Sequence, residues 1–208
     1  MSVTEVRHPL VQHKLSYLRS KDTPTVHFRS LVEEVTLLLT YEATKDFPTE
    51  DVMIETPLED ARFPRISGKK VAVCPILRAG LGMLDGVLSL ISGARVGFIG
   101  LYRNEETLMP VEYYVKLPAD VAERDVILLD PMLATGNSTV HAVTLVKDAG
   151  ATSVRLISII AAPEGIENVL GAHPDVQIVV AAVDRGLNDR GFIVPGLGDA
   201  GDRLYGTK

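Results

Sequence analysis

Val126-Ile-Leu-Leu-Asp-Pro-Met-Leu-Ala-Thr-Gly-Asn-Ser-Thr139 is the stretch on which the reading of this chain turns. Four apolar residues, Val126 to Leu129, predict a buried strand. An acid, Asp130, follows directly, then a short loop of small and hydroxylated residues, then an amphipathic helix from Ser138 to Lys147. An acid at a strand's carboxyl end can accept hydrogen bonds from sugar hydroxyls. The turn from Ala134 to Ser138 offers backbone amides, two hydroxyls and the positive end of a helix dipole, donors that suit a phosphate. Gly136 lets the backbone approach a ligand with no Cβ in the way. An ordinary strand–turn–helix crossover shares this outline, so the surroundings must decide.

Working outward, the same alternation repeats. Strands are predicted over Val71–Leu77, Val96–Tyr102, Val154–Ala161 and Val176–Val183, with helices over Gly82–Ile91 and Pro163–Leu170. Apolar runs of this length without in–out alternation suit a sheet covered on both faces. Strand–helix alternation then predicts an α/β fold with a parallel sheet. Upstream, a helix opening on Pro9 has Leu10, Val11, Leu15 and Leu18 as its apolar stripe, and a longer one runs from Val26 to Lys45 with Phe28, Leu31, Val32, Val35, Leu38 and Leu39 inward. The economical division is one domain: a helical cap over residues 1–60, an α/β core over 70–185 and a tail over 186–208.

Composition narrows the function classes. The 208 residues are 46% hydrophobic and carry a net charge of −6, with no run of like charges that would mark a nucleic-acid footprint. The single cysteine, Cys74, lies in an apolar run, which predicts a buried, inert thiol. No stretch is apolar for the roughly 20 residues that a membrane helix needs, and no leader pattern is seen. A soluble cytoplasmic protein is expected.

In open parallel sheets ligands bind beyond the carboxyl ends of the strands, and three segments fall there. Pro75-Ile-Leu-Arg-Ala-Gly-Leu-Gly82 places Arg78 at a strand's end, where a guanidinium suits pyrophosphate, with Gly80 and Gly82 freeing the turn. Leu101-Tyr-Arg-Asn-Glu-Glu-Thr107 leads into a polar stretch; two extended arms around Met109-Pro110 predict a β-hairpin lid with Arg103 at its hinge. The Asp130 segment is the third. Farther on, Gly191-Phe-Ile-Val-Pro-Gly-Leu-Gly-Asp-Ala-Gly201 contains a Gly-x-Gly-x-x-Gly spacing. Too few residues follow it for the crossover helix and second strand of a dinucleotide site, so it reads as exposed backbone that could fold over the same rim.

Leu128-Leu-Asp-Pro-Met-Leu-Ala-Thr-Gly136 resembles the phosphoribosyl-pyrophosphate loop of type I phosphoribosyltransferases, in the wording of the uracil phosphoribosyltransferase family. Ile76-Leu-Arg-Ala-Gly-Leu-Gly82 is similar to that family's pyrophosphate loop, and the glycine-rich tail to its base-binding segment. The resemblance implies transfer of the ribosyl phosphate to uracil, giving UMP in pyrimidine salvage. It implies that Arg78, Arg103, Asp130, Pro131, Met132, Leu133, Ala134, Thr135, Gly136, Asn137, Ser138 and Asp199 bind phosphoribosyl pyrophosphate. Ile193, Gly198, Asp199 and Ala200 surround the base, and Arg78, Asp130 and Asp199 serve catalysis, Asp199 as base or as a group ordering a water. Magnesium enters through substrate oxygens and water, with no protein ligand named. A homodimer is implied, with GTP an activator of larger assemblies in the family. Asn137 departs from a usual glycine and either donates to the 5′-phosphate or narrows the loop. The rival class is a regulatory protein of this fold that senses nucleotide and binds nucleic acid; it calls for a basic face, which the net charge argues against.

Overall fold

The computed structural model describes residues 2–68, 71–103 and 110–207. A short strand, β1 (Val3–Glu5), precedes two helices, α1 (Pro9–Arg19) and α2 (Thr25–Ala43). A hairpin of β2 (Thr49–Glu55) and β3 (Asp60–Ile66) leads into β4 (Val71–Leu77), a 3-10 turn over Ala79–Met83 and α3 (Leu84–Leu90). Next come β5 (Arg95–Val96), β6 (Phe98–Arg103), β7 (Pro110–Lys116), β8 (Asp125–Leu129), β9 (Met132–Leu133) and α4 (Asn137–Asp148). Then follow β10 (Ser153–Ala161), α5 (Pro163–Ala172), β11 (Gln177–Val183), the short pair β12 (Gly186–Leu187) and β13 (Ile193–Val194), and α6 (Ala200–Tyr205).

The main sheet runs β1-β11-β10-β8-β4-β6-β7 and is parallel except for β7, which returns antiparallel beside β6. The fold is thus the α/β parallel-sheet architecture expected. Its strands separate two cores. Val71, Val73, Ile127, Leu129, Ile157 and Ile159 face α1, α2, α3 and α6, whereas Ala72, Cys74, Val126, Leu128 and Leu156 face α4 and α5. Burial on both faces explains why these runs show no polar alternation. Cys74 is fully buried, and desolvation pushes its thiol up to about 12, which fits an inert packing role.

Local chemistry sets the element ends. The His8 imidazole accepts from the Leu10 N–H at 3.2 Å and Pro9 occupies the first turn, so α1 starts there. Its buried stripe is Val11, Leu15 and Leu18; Leu10, expected inward, is exposed because it sits one residue off the i, i+4, i+7 row. On α2, buried Thr36 and Thr40 satisfy their hydroxyls on the carbonyls of Val32 and Thr36, at 2.7 and 2.8 Å.

Several elements differ from the sequence expectation. Residues 49–66 form the antiparallel β2–β3 hairpin instead of continuing a helical cap, and β1 joins the sheet edge beside β11. The helix expected over 82–91 begins at Leu84, after a 3-10 turn. The strand expected over 96–102 breaks at Gly97, where a Cβ would meet the Cys74 sulfur at 2.9 Å. The arms expected around Met109-Pro110 are β6 and β7, paired with Arg103 opposite Pro110; residues 104–109 lie outside the described residues. The tail ends in a helix, α6, where exposed backbone alone was expected. Among the described residues, no helix is long and apolar enough to cross a membrane.

Candidate active site

The carboxyl ends of β4, β6 and β8, together with the tail, enclose a cleft of about 350 Å³. It is lined by Arg78 and Ala79 after β4, by Asp130, Pro131 and Met132 after β8, and by the turn and helix start at Ala134, Thr135, Gly136, Ser138 and Thr139. Asp199, Ala200 and Gly201 close it from the tail. Segments more than 100 residues apart in sequence thus share one rim.

Asp130 emerges from β8 because the four apolar residues before it are fully buried between β10 and β4. Its carboxylate is half-buried and accepts from the Met132 N–H at 3.3 Å and the Thr139 hydroxyl at 3.4 Å. Desolvation pushes its carboxyl up to about 6, against the opposing pull of those two weak hydrogen bonds. Such a group gains from strong donors, and sugar hydroxyls are of that kind.

The turn after Asp130 ends at Gly136, whose φ of 81° is left-handed and whose Cβ would meet the Gly165 carbonyl oxygen at 2.7 Å. No side chain caps the start of α4, so first-turn N–H groups remain as donors for an anion. Helix α5 supports this turn from behind. Asn168 Nδ2 donates to the Thr135 carbonyl and to Asn137 Oδ1, both at 2.8 Å. The Asn137 side-chain oxygen is therefore tied to α5.

Arg78 is exposed at the end of β4, and its carbonyl accepts from the Tyr205 hydroxyl at 3.0 Å. Gly80 follows because a Cβ there would meet the Leu129 carbonyl oxygen at 2.2 Å. Close packing on β8, and of Leu204 against Gly82, accounts for these glycines; neither adopts the left-handed backbone expected of a sharp turn. Asp199 Oδ1 accepts from the Asp202 N–H at 2.9 Å and so caps α6.

The residues that sequence reading singled out are largely brought together. Arg78, Asp130, Pro131, Met132, Ala134, Thr135, Gly136, Ser138, Asp199 and Ala200 line the cleft. Leu133 does not: it is fully buried, and its carbonyl accepts from the Ala162 N–H at 2.9 Å. Asn137 faces α5, the Ile193 side chain is buried in the core, and Gly198 lines a neighbouring groove that shares Asp199. The Arg103 side chain lies outside the described residues.

A family model described as Uracil phosphoribosyltransferase matches residues 5–207. The chain belongs to the uracil phosphoribosyltransferase family. A Uracil phosphoribosyltransferase from Clostridium perfringens is 60% identical over 206 residues, covering 99% of each chain. The AQ2163 protein from Aquifex aeolicus superposes with a TM-score of 0.94 at 40% identity, covering 99% of each chain. A hypoxanthine-guanine phosphoribosyltransferase from Bacillus anthracis shares the fold at a TM-score of 0.51 and 11% identity, covering 77% of this chain and 80% of its own.

Against the uracil phosphoribosyltransferase resemblance, sequence reading missed Thr139 on Asp130 and Asn168 behind the turn. Thr139 lay in the motif already quoted and carried a hydroxyl as signal. Asn168 carried none, since it is one polar residue on a solvent-facing helix 31 residues from Asn137. Replacing it by Ala should weaken ribose 5-phosphate binding about tenfold by loosening the turn. Titration calorimetry checks this, and an unchanged affinity would show that α5 does not position the loop.

Proposed function

We propose that this protein joins uracil N1 to C1 of 5-phosphoribosyl 1-pyrophosphate, giving UMP and pyrophosphate in pyrimidine salvage. The observation that carries the reading is one cleft shared by Arg78, Asp130, the uncapped start of α4 and the tail residues Asp199 and Ala200. Family membership supports both substrates and the class of enzyme, a pentosyltransferase. The residue roles below are our assignment.

The 5′-phosphate sits on the turn from Ala134 to Ser138, against the first N–H groups of α4. Asp130 accepts the ribose hydroxyls, which fixes C1 toward the tail. As the C1–O bond breaks, positive charge grows on the ribosyl ring and negative charge on pyrophosphate. Arg78 and Arg103 receive the pyrophosphate, so catalysis rests on placement and on electrostatics aimed at those changes. Uracil lies at Ile193, Gly198 and Ala200, where backbone groups match its alternating carbonyl and N–H edge. The N1 proton leaves to Asp199 or to a water it orders; since Oδ1 caps α6, Oδ2 is the oxygen assigned to that role.

Among the described residues the cleft carboxylates are Asp130 and Asp199, and no group of three or more His, Cys, Asp or Glu converges on a metal position. That donor set suits magnesium carried on pyrophosphate oxygens and water, where it would neutralise charge on the leaving group. The reaction belongs to the cytoplasm.

A homodimer goes with this reading. The β2–β3 arm forms a two-stranded sheet of its own and exposes Met53, Leu58, Phe63 and Ile66. An isolated hairpin is marginal in water, and a second copy would cover that apolar surface. Sedimentation should give twice the chain mass, and Phe63→Glu should shift it toward monomer; a monomeric parent at micromolar concentration would exclude this.

The activity is tested by a nucleobase panel with phosphoribosyl pyrophosphate and magnesium, with and without GTP as the effector the family suggests. Uracil alone should release pyrophosphate, and turnover of a purine instead would overturn the reading. Asp130→Asn separates catalysis from folding. Turnover should fall about a hundredfold. Because burial raises the Asp130 carboxyl to about 6, its ionisation opposes folding above that pH and has no such cost below the usual carboxylate range. The Asn variant should therefore unfold at higher denaturant than the parent at pH 8, with the gap closing by pH 4. In the parent, kcat/KM for phosphoribosyl pyrophosphate should fall as pH drops through 6, and the variant should lack that limb. Near-normal turnover would remove Asp130 from the site.

A further inference from the structure

The tail that closes the cleft is held by an ion pair and a second arginine which take no part in the roles assigned so far. Arg19, the last residue of α1, meets Asp184, the first residue after β11. Its guanidinium donates to both carboxylate oxygens, at 2.8 and 2.5 Å. Asp184 is buried, and Arg19 is mostly covered. The pair then grips one residue of the tail, Gly196, through the peptide on each side of it. Gly196 N–H donates to Asp184 Oδ2 at 2.9 Å, and Arg19 Nη1 donates to the Gly196 carbonyl at 2.8 Å.

One residue on, Arg203 Nη1 donates to the Leu197 carbonyl at 2.7 Å and Nη2 to the Ser20 carbonyl at 2.6 Å. Its guanidinium stacks 4.2 Å from the centroid of the Phe28 ring. The Phe192 and Val194 carbonyls are taken by the N–H groups of Asn188 and Arg185. Internal donors thus occupy the carbonyls of Phe192, Val194, Gly196 and Leu197, which flank the base-reading positions.

A buried ion pair contributes little net stability, because desolvation offsets the Coulombic gain. Its strict geometry is what an apolar pair could not reproduce. Gly196 is left-handed at φ 67°, and a Cβ on it would lie 2.1 Å from the Ile193 carbonyl oxygen. The chain is thus folded tightly between Ile193 and Gly196, and Gly198 lies two residues beyond the gripped position.

We propose that Arg19 and Asp184 are positioning residues for pyrimidine selection: they clamp Gly196 so that backbone groups at Ile193 and Gly198 meet the uracil edge. This rests on the base site proposed above. Apart from each other, the side chains of both residues hydrogen-bond only to Gly196 among the described residues, so they act on the base and not on the phosphorylated sugar.

The test uses Arg19→Lys, which keeps the charge and loses the fork, and Asp184→Asn, which keeps an acceptor for Gly196 and loses the charge. KM for uracil should rise about tenfold in each, while KM for phosphoribosyl pyrophosphate and kcat stay within about twofold of the parent. The preference for uracil over cytosine, whose edge reverses two of the hydrogen-bonding groups, should shrink. A lowered unfolding midpoint with an unchanged KM for uracil would overturn the proposal, as would a parallel rise of both KM values. Should Asp184→Asn fail to fold, Arg19→Lys decides the question by the same split. A parent enzyme that does not convert uracil would fell the base site itself; a parent that does, with unshifted variants, fells the clamp alone.

Discussion

The burial of Val126 to Leu129 in the middle of the sheet is the constraint on which the site depends. With β10 on one side and β4 on the other, β8 can neither slide nor rotate without exposing four apolar side chains. Removing that much apolar surface from water is worth several kcal/mol, far more than any polar contact at the rim. Asp130 is delivered to the rim as a consequence, and the chain after it has to turn there. The Leu129 carbonyl supports the Arg78 loop at Gly80, so the Arg78 side of the cleft is referenced to the same strand.

Around that strand the polar work is done by second elements that never face the ligand. Helix α5 ties Thr135 and Asn137 through Asn168, and the Glu164 carboxylate accepts from the Leu187 N–H at 3.1 Å. One helix thereby touches both the phosphate turn and the start of the tail. From the opposite face, α1 supplies Arg19 and α2 supplies the Phe28 ring on which Arg203 rests. The cleft thus draws its supports from both faces of the sheet, with α5 reaching each of its halves.

How much was legible depended on distance along the chain. The strands over 71–77 and 154–161 were readable because burial on both faces leaves an uninterrupted apolar run, a local signal. Asp130 and the turn behind it were readable because strand, acid, turn and helix are consecutive. The β2–β3 arm was not, since Thr49 to Glu55 mixes acids with apolar residues and most of its side chains are exposed. Arg19 and Asp184 were illegible for another reason: 165 residues separate them, and each alone looks like an ordinary charge beside an apolar element.

Sequence by itself determined the fold class, the alternation of the core strands and helices, and the residues that the rim loops carry, because hydrophobic periodicity and turn composition act over a few residues. Tertiary structure alone decided which loops share a cleft, that Leu133 is core while its neighbours line the site, and that the glycine-rich tail is a clamped, helix-capped segment. Those outcomes follow from contacts between distant segments, whose free energy exists only once the sheet has brought them within hydrogen-bonding reach.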